Sequence, residues 1–229
     1  MKKINKNCAY FLAQASHDLR QPLQALMLYL DLFDTDELSP KQKNLWDKIL
    51  KTTGNLKILL SNVLDFSKFE FGDIKLNKHI VNVGVILSDL GQEYKILAES
   101  KNINFEYNIC NCSIFTDAVL LERILRNLIS NAFKFTKDKV IVSCKENRDN
   151  IVIDIQDNGI GIKKDELPLI FDEFYQGSNA CFLNNDGAGL GLSIVKKIAD
   201  KLEIDINVQS AKGKGSNFSI LIKKGHTLS

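Results

Sequence analysis

Between residues 12 and 33 the apolar side chains Leu12, Ala15, Leu19, Leu23, Leu26, Leu30 and Phe33 recur at steps of three and four, which predicts an amphipathic helix. Leu45, Ile49, Thr52, Leu56, Leu59, Val63 and Phe66 repeat the stripe and predict a second. Between them, Ser39-Pro40-Lys41-Gln42 offers a capping serine, a proline at the first helical position and a glutamine three residues after the cap, so the second helix should start there. Two helices in a hairpin bury one stripe against each other. Phe11, Leu28, Tyr29, Leu60 and Leu64 are left over, and pairing two hairpins into a four-helix bundle would cover them; packing on the rest of the chain is the competing arrangement.

After Phe71-Gly72-Asp73 the period changes, which places a boundary between residues 1–72 and 73–229. Helical spacing over 83–100, alternation at Ile103, Phe105, Tyr107 and Ile109, and helical spacing over 118–135 follow in turn. Residues 140–145 and 151–156 read as a hairpin, 191–201 as a last helix, and 204–208 and 218–222 as closing strands with Gly213 and Gly215 in their turn. The expected architecture is a helical hairpin forming a dimeric bundle, followed by an α/β sandwich with helices on one face of a mixed sheet.

Composition narrows the class only a little. A chain of 229 residues with 45% apolar composition can build a real core, and 30 basic against 28 acidic side chains give no field that calls for nucleic acid. No segment approaches the ~18 apolar residues of a membrane span, so the expectation is a cytoplasmic chain or the cytoplasmic part of a longer protein. The start, Met1-Lys2-Lys3 with Ala13-Gln14-Ala15, is too short in its apolar stretch for a secretory signal. The five cysteines (Cys8, Cys110, Cys112, Cys144 and Cys181) lack paired zinc-site spacing and read as reduced packing residues.

Three stretches carry candidate chemistry. Asp157-Asn158-Gly159-Ile160-Gly161-Ile162 closes the alternating run Ile151, Ile153, Ile155, which sets a carboxylate at a strand end with Gly159 and Gly161 letting backbone approach a ligand; an adenine amino group is a natural partner. Ordinary turn chemistry is the competing reading of that string. Arg123, Asn127, Asn131 and Lys134 form a polar stripe opposite Leu121, Ile124, Leu125, Leu128 and Ala132, and two asparagines in mid-helix are poor choices for a merely solvated face. The amide oxygens of Asn127 and Asn131 suit Mg²⁺ and its waters, with Lys134 near phosphate. Gly187, Gly189, Leu190 and Gly191 open the last helix, whose free amides would receive phosphate oxygens. A dinucleotide-binding turn would need a strand immediately before, and residues 175–185 are irregular and mostly polar. The stretch from 172 to 187 without regular structure suits a lid over ATP.

His17 falls outside the first apolar stripe, and Pro22 removes the hydrogen bond the Asp18 carbonyl would accept, so the helix should bend just past an exposed histidine. A surface histidine in a kinked helix is the plain alternative. The string Ser16-His17-Asp18-Leu19-Arg20-Gln21-Pro22-Leu23 resembles the phospho-acceptor box of sensor histidine kinases. Residues 128–136, from Leu128 to Thr136, resemble the asparagine box of that family; Phe171-Asp172-Glu173-Phe174 resembles its phenylalanine box and Gly213-Lys214-Gly215-Ser216 its last glycine box. The boxes follow family order from His17 to Phe218.

That resemblance implies a Bergerat-fold ATP domain behind an acceptor and dimerisation hairpin. Asp157 would contact the adenine, and Asn131 would ligate Mg²⁺. His17 would attack the γ-phosphate of ATP with Asp18 orienting it and taking its proton, and a response-regulator receiver would accept the phosphoryl group. The two sites lie on separate domains, so the linker must let them meet. Gln21 stands where the family usually has threonine or asparagine for dephosphorylating the partner, and Asp18 replaces the commoner glutamate, so kinase activity is expected with weak phosphatase activity. ATPases that clamp dimers share the cradle, but the hairpin with His17 separates the two readings. A binding-only relic is disfavoured, since each box keeps its reactive residue.

Overall fold

The computed structural model describes residue 19 and residues 21–71, 75–178 and 189–224, with side chains in the second helix described through residue 61. The chain divides into two compact units, Met1–Ile74 with Asp186–Leu190, and Lys75–Asn185 with Gly191–Ser229.

In the first unit, α1 (21–32) and α2 (Pro40–Phe71) form the hairpin. The expected cap is built: Ser39 N donates to Gln42 Oε1 at 2.9 Å, and the Ser39 hydroxyl donates to the same oxygen at 2.6 Å. Asp34 Oδ1 accepts from Asp36 N in the turn, and Phe33 stacks on Trp46 with ring centroids 4.5 Å apart. The expected stripe is covered only in part. Leu23 and Thr53 are buried, but Leu19, Leu26, Phe33, Leu45 and Leu56 remain 41–59% exposed, as do Leu28 and Tyr29 at 55% and 69%. One hairpin offers one seam, and among the described residues the wider apolar face is left largely uncovered.

The second unit opens with β1 (His79–Asn82), α3 (Val83–Lys101), β2 (Asn104–Asn108), β3 (Ser113–Thr116) and α4 (Ala118–Phe135). It continues with β4 (Lys139–Glu146), β5 (Asn150–Asp157), a 3₁₀ turn (Leu167–Leu169), α5 (Gly191–Leu202), β6 (Asp205–Ser210) and β7 (Ser216–Lys223). Five strands form a mixed sheet in the order β2-β4-β5-β7-β6, parallel between β2 and β4 and antiparallel elsewhere. β1 and β3 pair antiparallel in a separate two-stranded sheet that the apolar pattern does not predict, because each is four residues long.

Alternation sets the core. Val140 and Val142 of β4, Ile151, Ile153 and Ile155 of β5, and Ile220 and Ile222 of β7 are buried, whereas Asp154 meets Ser219 on the half-buried other side. Leu121, Ile124, Leu125 and Leu128 of α4 and Ile194 and Ile198 of α5 are at most 1% exposed, and α4 packs on β4, β5 and α5. Asp117 caps α4: its Oδ1 accepts from Val119 N and Leu120 N, and its Oδ2 accepts from Asn77 N, which ties the segment entering the unit to the helix start.

Cys110 and Cys144 depart from the reduced, packing role expected of them, whereas Cys112 is free and buried as expected and Cys8 and Cys181 lie outside the described residues. A disulfide joins Cys110, between β2 and β3, to Cys144 of β4, with Cα atoms 5.3 Å apart. The strand register supplies the reason, since β2 runs beside β4 and brings together residues separated by 34 positions.

Candidate active site

Asp157 ends β5 with 7% of its surface exposed, opposite Ser216 in the register with β7. Its Oδ1 accepts from Gly159 N at 2.7 Å. Burial pushes its carboxyl above the ordinary carboxylate range, and hydrogen bonds from Gly159 N and from the amide and hydroxyl of Ser216 pull the other way. An acceptor so placed has bonds that fix its direction and a low-dielectric setting in which a further donor is held strongly.

The glycines around it are required sterically. A methyl on Gly159 would run into the Phe135 carbonyl, and one on Gly161 into that of Ala211. Gly161 and Gly215 also have φ of +62° and +82°, in the region that favours glycine. Gly215 lies against the Asp157 backbone. Ile160 N donates to Phe135 O at 3.2 Å, so the turn after Asp157 is fastened to the end of α4.

On α4, Asn127, Asn131 and Lys134 are all half-buried on one side, as the spacing predicts. Asn127 Nδ2 donates to Arg123 O at 3.0 Å, and a methyl on Gly191 would stand 3.1 Å from Asn127 Oδ1. The amide oxygen therefore meets the first residue of α5, where helix amides lack intrahelical partners. Burial lowers the Arg123 guanidinium to about 10, still cationic at neutral pH. Lys134 Nζ lies 5.2 Å from the Phe135 ring centroid. Hard amide oxygens beside a helix N-terminus fit Mg²⁺ and phosphate in their donor chemistry.

The structure thus joins Asn127 to Gly191, Asp157 to Gly159, Gly215 and Ser216, and Gly161 to Gly215. Phe171 is half-buried on a separate stretch after the 3₁₀ turn. Gly189 has φ of +69° and Leu190 is 1% exposed. His17, Asp18 and Gly187 lie outside the described residues, and Gln21 is exposed at the start of α1.

Sequence reasoning passed over several residues that hold this site. Asn158 Oδ1 accepts from Thr136 Oγ1, Asp138 N and Lys139 N at 3.0–3.2 Å, and Asn158 Nδ2 donates to Asp138 Oδ1 at 2.6 Å. Ser210 donates to Gly215 O and accepts from Ile162 N, both at 2.8 Å, which binds the two glycine turns together. Glu166 accepts from the amide and hydroxyl of Ser178, whose hydroxyl holds its carboxyl below the ordinary range, and so closes the stretch 166–178 on itself. An asparagine beside a DG-type turn hints at the first; the others depend on contacts that spacing does not encode.

Residues 116–226 match the family described as histidine kinase-, DNA gyrase B- and HSP90-like ATPase, and residues 9–72 match the His Kinase A (phospho-acceptor) domain. The chain is 35% identical over 224 residues to the autoinducer 2 sensor kinase/phosphatase LuxQ of Vibrio parahaemolyticus, covering 93% of this chain and 26% of the relative. It is 32% identical over 222 residues to the sensor protein GacS of Pseudomonas syringae, covering 93% of this chain and 24% of that protein. The chain therefore spans about a quarter of these relatives' length. Among solved structures, full-length ShkA in complex with AMPPNP superposes with a TM-score of 0.74 at 25% identity, covering 93% of this chain and 45% of that one. The Acinetobacter baumannii histidine kinase AdeS shares the fold at a TM-score of 0.63 and 22% identity, over 92% of this chain and 98% of that one.

Proposed function

The chain belongs to the sensor histidine kinases, with a phospho-acceptor domain followed by an ATPase domain, and from that premise we propose that it autophosphorylates on His17 and serves a two-component phosphorelay. The observation that carries the reading is the buried Asp157 carboxylate, fixed by Gly159 and Ser216 at the foot of glycine turns and fastened to the helix that bears Asn127 and Asn131. In this reading Asp157 accepts the adenine amino group. The phosphates would lie along the backbone of Gly187, Gly189, Leu190 and Gly191, and Lys134 would add a cation. Gly215 and Ser216 hold the floor.

Asn131, with Asn127, would hold Mg²⁺, which neutralises charge on the transferring phosphate. His17 supplies a neutral imidazole nitrogen to the γ-phosphorus, the bond to the bridging oxygen of ADP breaks, and Asp18 takes the imidazole proton. Positioning and electrostatic clamping supply most of the rate. The phosphoryl group then passes to an aspartate of a receiver domain. We place the division near residues 72–73, the chain in the cytoplasm, and the working form as a homodimer through the hairpin.

Gln21 stands four residues after His17, a spacing that would place the two on one face of the helix the sequence predicts. Its amide can orient water on a receiver's phosphoaspartate, but it has one more rotatable bond to freeze than asparagine and two more than threonine, which makes a weak phosphatase. Gln21→Thr should speed loss of phosphate from a phosphorylated receiver; no gain over wild type would remove that assignment. The phospho-acceptor match over residues 9–72 sets aside the ATP-driven clamp of the same fold. The test of the whole reading is incubation with γ-labelled ATP, followed by a panel of receiver domains. Label should appear on the chain and then on a receiver, whereas label released only as inorganic phosphate would contradict it.

A further inference from the structure

Beyond the nucleotide site, three sulfurs converge at another part of the sheet. The Sγ atoms of Cys110, Cys112 and Cys144 all lie within 4.8 Å of one another, and Cys110 Sγ and Cys112 Sγ are 2.8 Å apart. Cys112 and Cys144 are 4% and 9% exposed, while Cys110 is half-buried and gives the cluster one side open to water. Val140 pairs with Asp157 and Cys144 with Ile153, so the cluster stands four residues along β4 from the level of Asp157, about 13 Å at the usual rise.

The sulfurs are held together by more than the disulfide. Val83 N donates to Cys112 O at 2.9 Å, Asn82 Nδ2 donates to Asn111 Oδ1 at 2.9 Å, and a methyl on Gly84 would stand 2.5 Å from Cys110 O. These contacts pin the 110–112 loop to the start of α3, and the β4–β5 ladder fixes Cys144. Reduction of the Cys110–Cys144 bond therefore leaves three thiols in one place. Soft thiolates select Zn²⁺ or Cu⁺ over the hard cations that suit the asparagine site.

We propose that reduced Cys110, Cys112 and Cys144 form a binding site for one thiophilic d¹⁰ cation, and that the Cys110–Cys144 disulfide is its closed form. A thiol or dithiol reductant supplies the two electrons and two protons that open the disulfide, and is itself oxidised to a disulfide. The cation then displaces protons from the sulfurs at bonds of about 2.3 Å for zinc, with water on the open side completing a tetrahedron. Because the cation replaces thiol protons, loading should release protons and weaken as pH falls.

The test uses the whole chain, reduced with a dithiol, freed of reductant without oxygen, and titrated with Zn²⁺ or, separately, Cu⁺ against a chromophoric chelator. One ion per chain is expected with at least one of the two cations, and loading should protect three of the five thiols from alkylation. Cys112→Ser, which spares the disulfide pair, should weaken binding at least tenfold, and Cys110→Ser should do the same at a half-exposed position. Cys8→Ser with Cys181→Ser should bind as wild type. ATP affinity, unchanged in each variant, reports that the domain is folded. No ion bound from either metal, wild-type binding in folded Cys112→Ser or Cys110→Ser, loss in the Cys8/Cys181 variant, or equal binding by the oxidised chain would overturn the proposal.

Discussion

Gly191 faces Asn127 so closely that a single methyl group would come within 3.1 Å of the asparagine's Oδ1. Gly191 is the first residue of α5 and Asn127 lies in α4, so the contact joins the helix end proposed to receive phosphate to the helix proposed to offer oxygen ligands. Gly191→Ala should leave the free protein as stable as wild type or slightly more so, because alanine favours a helix by up to ~1 kcal/mol. The same methyl should displace Asn127 Oδ1 and weaken Mg²⁺-ATP binding by about 5- to 10-fold, roughly 1 kcal/mol. Calorimetric titration beside thermal unfolding separates the two effects. Equal affinity in both proteins would remove Asn127 from the site.

Asp157→Asn should weaken ATP binding by about 1–3 kcal/mol, since it leaves the adenine amino group facing an imperfect partner. Stability should move differently. An acid whose folded pKa is raised holds its proton more readily in the folded chain, so Asp157 favours the fold at low pH and its contribution declines as pH rises through the raised value. Denaturant unfolding of the nucleotide-free proteins should show wild type losing ground to Asp157→Asn between acid and neutral pH. A wild type that gains ground over that range would mean the carboxylate is stabilised by partners, not held against burial.

Asn158→Ala removes the acceptor shared by Thr136 Oγ1, Asp138 N and Lys139 N. The side chain is exposed, so water takes over some of these bonds, and the expected loss is about 1–2 kcal/mol. The turn that carries Asp157 should loosen with it, visible as faster amide exchange at Gly159 and Ile160. Unchanged exchange there would mean that the ladder alone positions Asp157.

Much of this was readable beforehand. Ser39 and Gln42 mark the start of α2 because a capping box is local chemistry, and the observed α4, Ala118–Phe135, spans the residues that helical spacing predicts. The run Ile151, Ile153, Ile155 shows which side of β5 faces the core because alternation has a period of two. What escaped was non-local. Ile162 and Ser210 come from segments 48 residues apart that meet only in the folded domain, and Cys110 finds Cys144 through a parallel pairing of β2 with β4. β1 and β3 escaped for another reason: four residues are too few to set a period.

The hairpin leaves Leu19, Leu26, Leu28, Tyr29, Phe33 and Leu56 at least 41% exposed in the single chain. Burying such side chains is worth about 1.5–3 kcal/mol each when complete, enough in sum to hold a second copy. Light scattering on the whole chain should give a dimer at tens of micromolar, roughly ordinary assay concentrations, and Leu26→Glu with Leu56→Glu should give a folded monomer. A wild-type monomer would sink the bundle.

The central claim is that ATP delivers its γ-phosphate to one histidine. Wild-type, His17→Gln and Asp18→Asn chains would be incubated with γ-labelled ATP and Mg²⁺, and label stable in alkali but lost in acid would be counted against time. The account predicts such label on wild type, none on His17→Gln, and labelling slowed by about 10²–10⁴ in Asp18→Asn, with ATP affinity unchanged in all three. Acid-labile label on His17→Gln at the wild-type rate would contradict it.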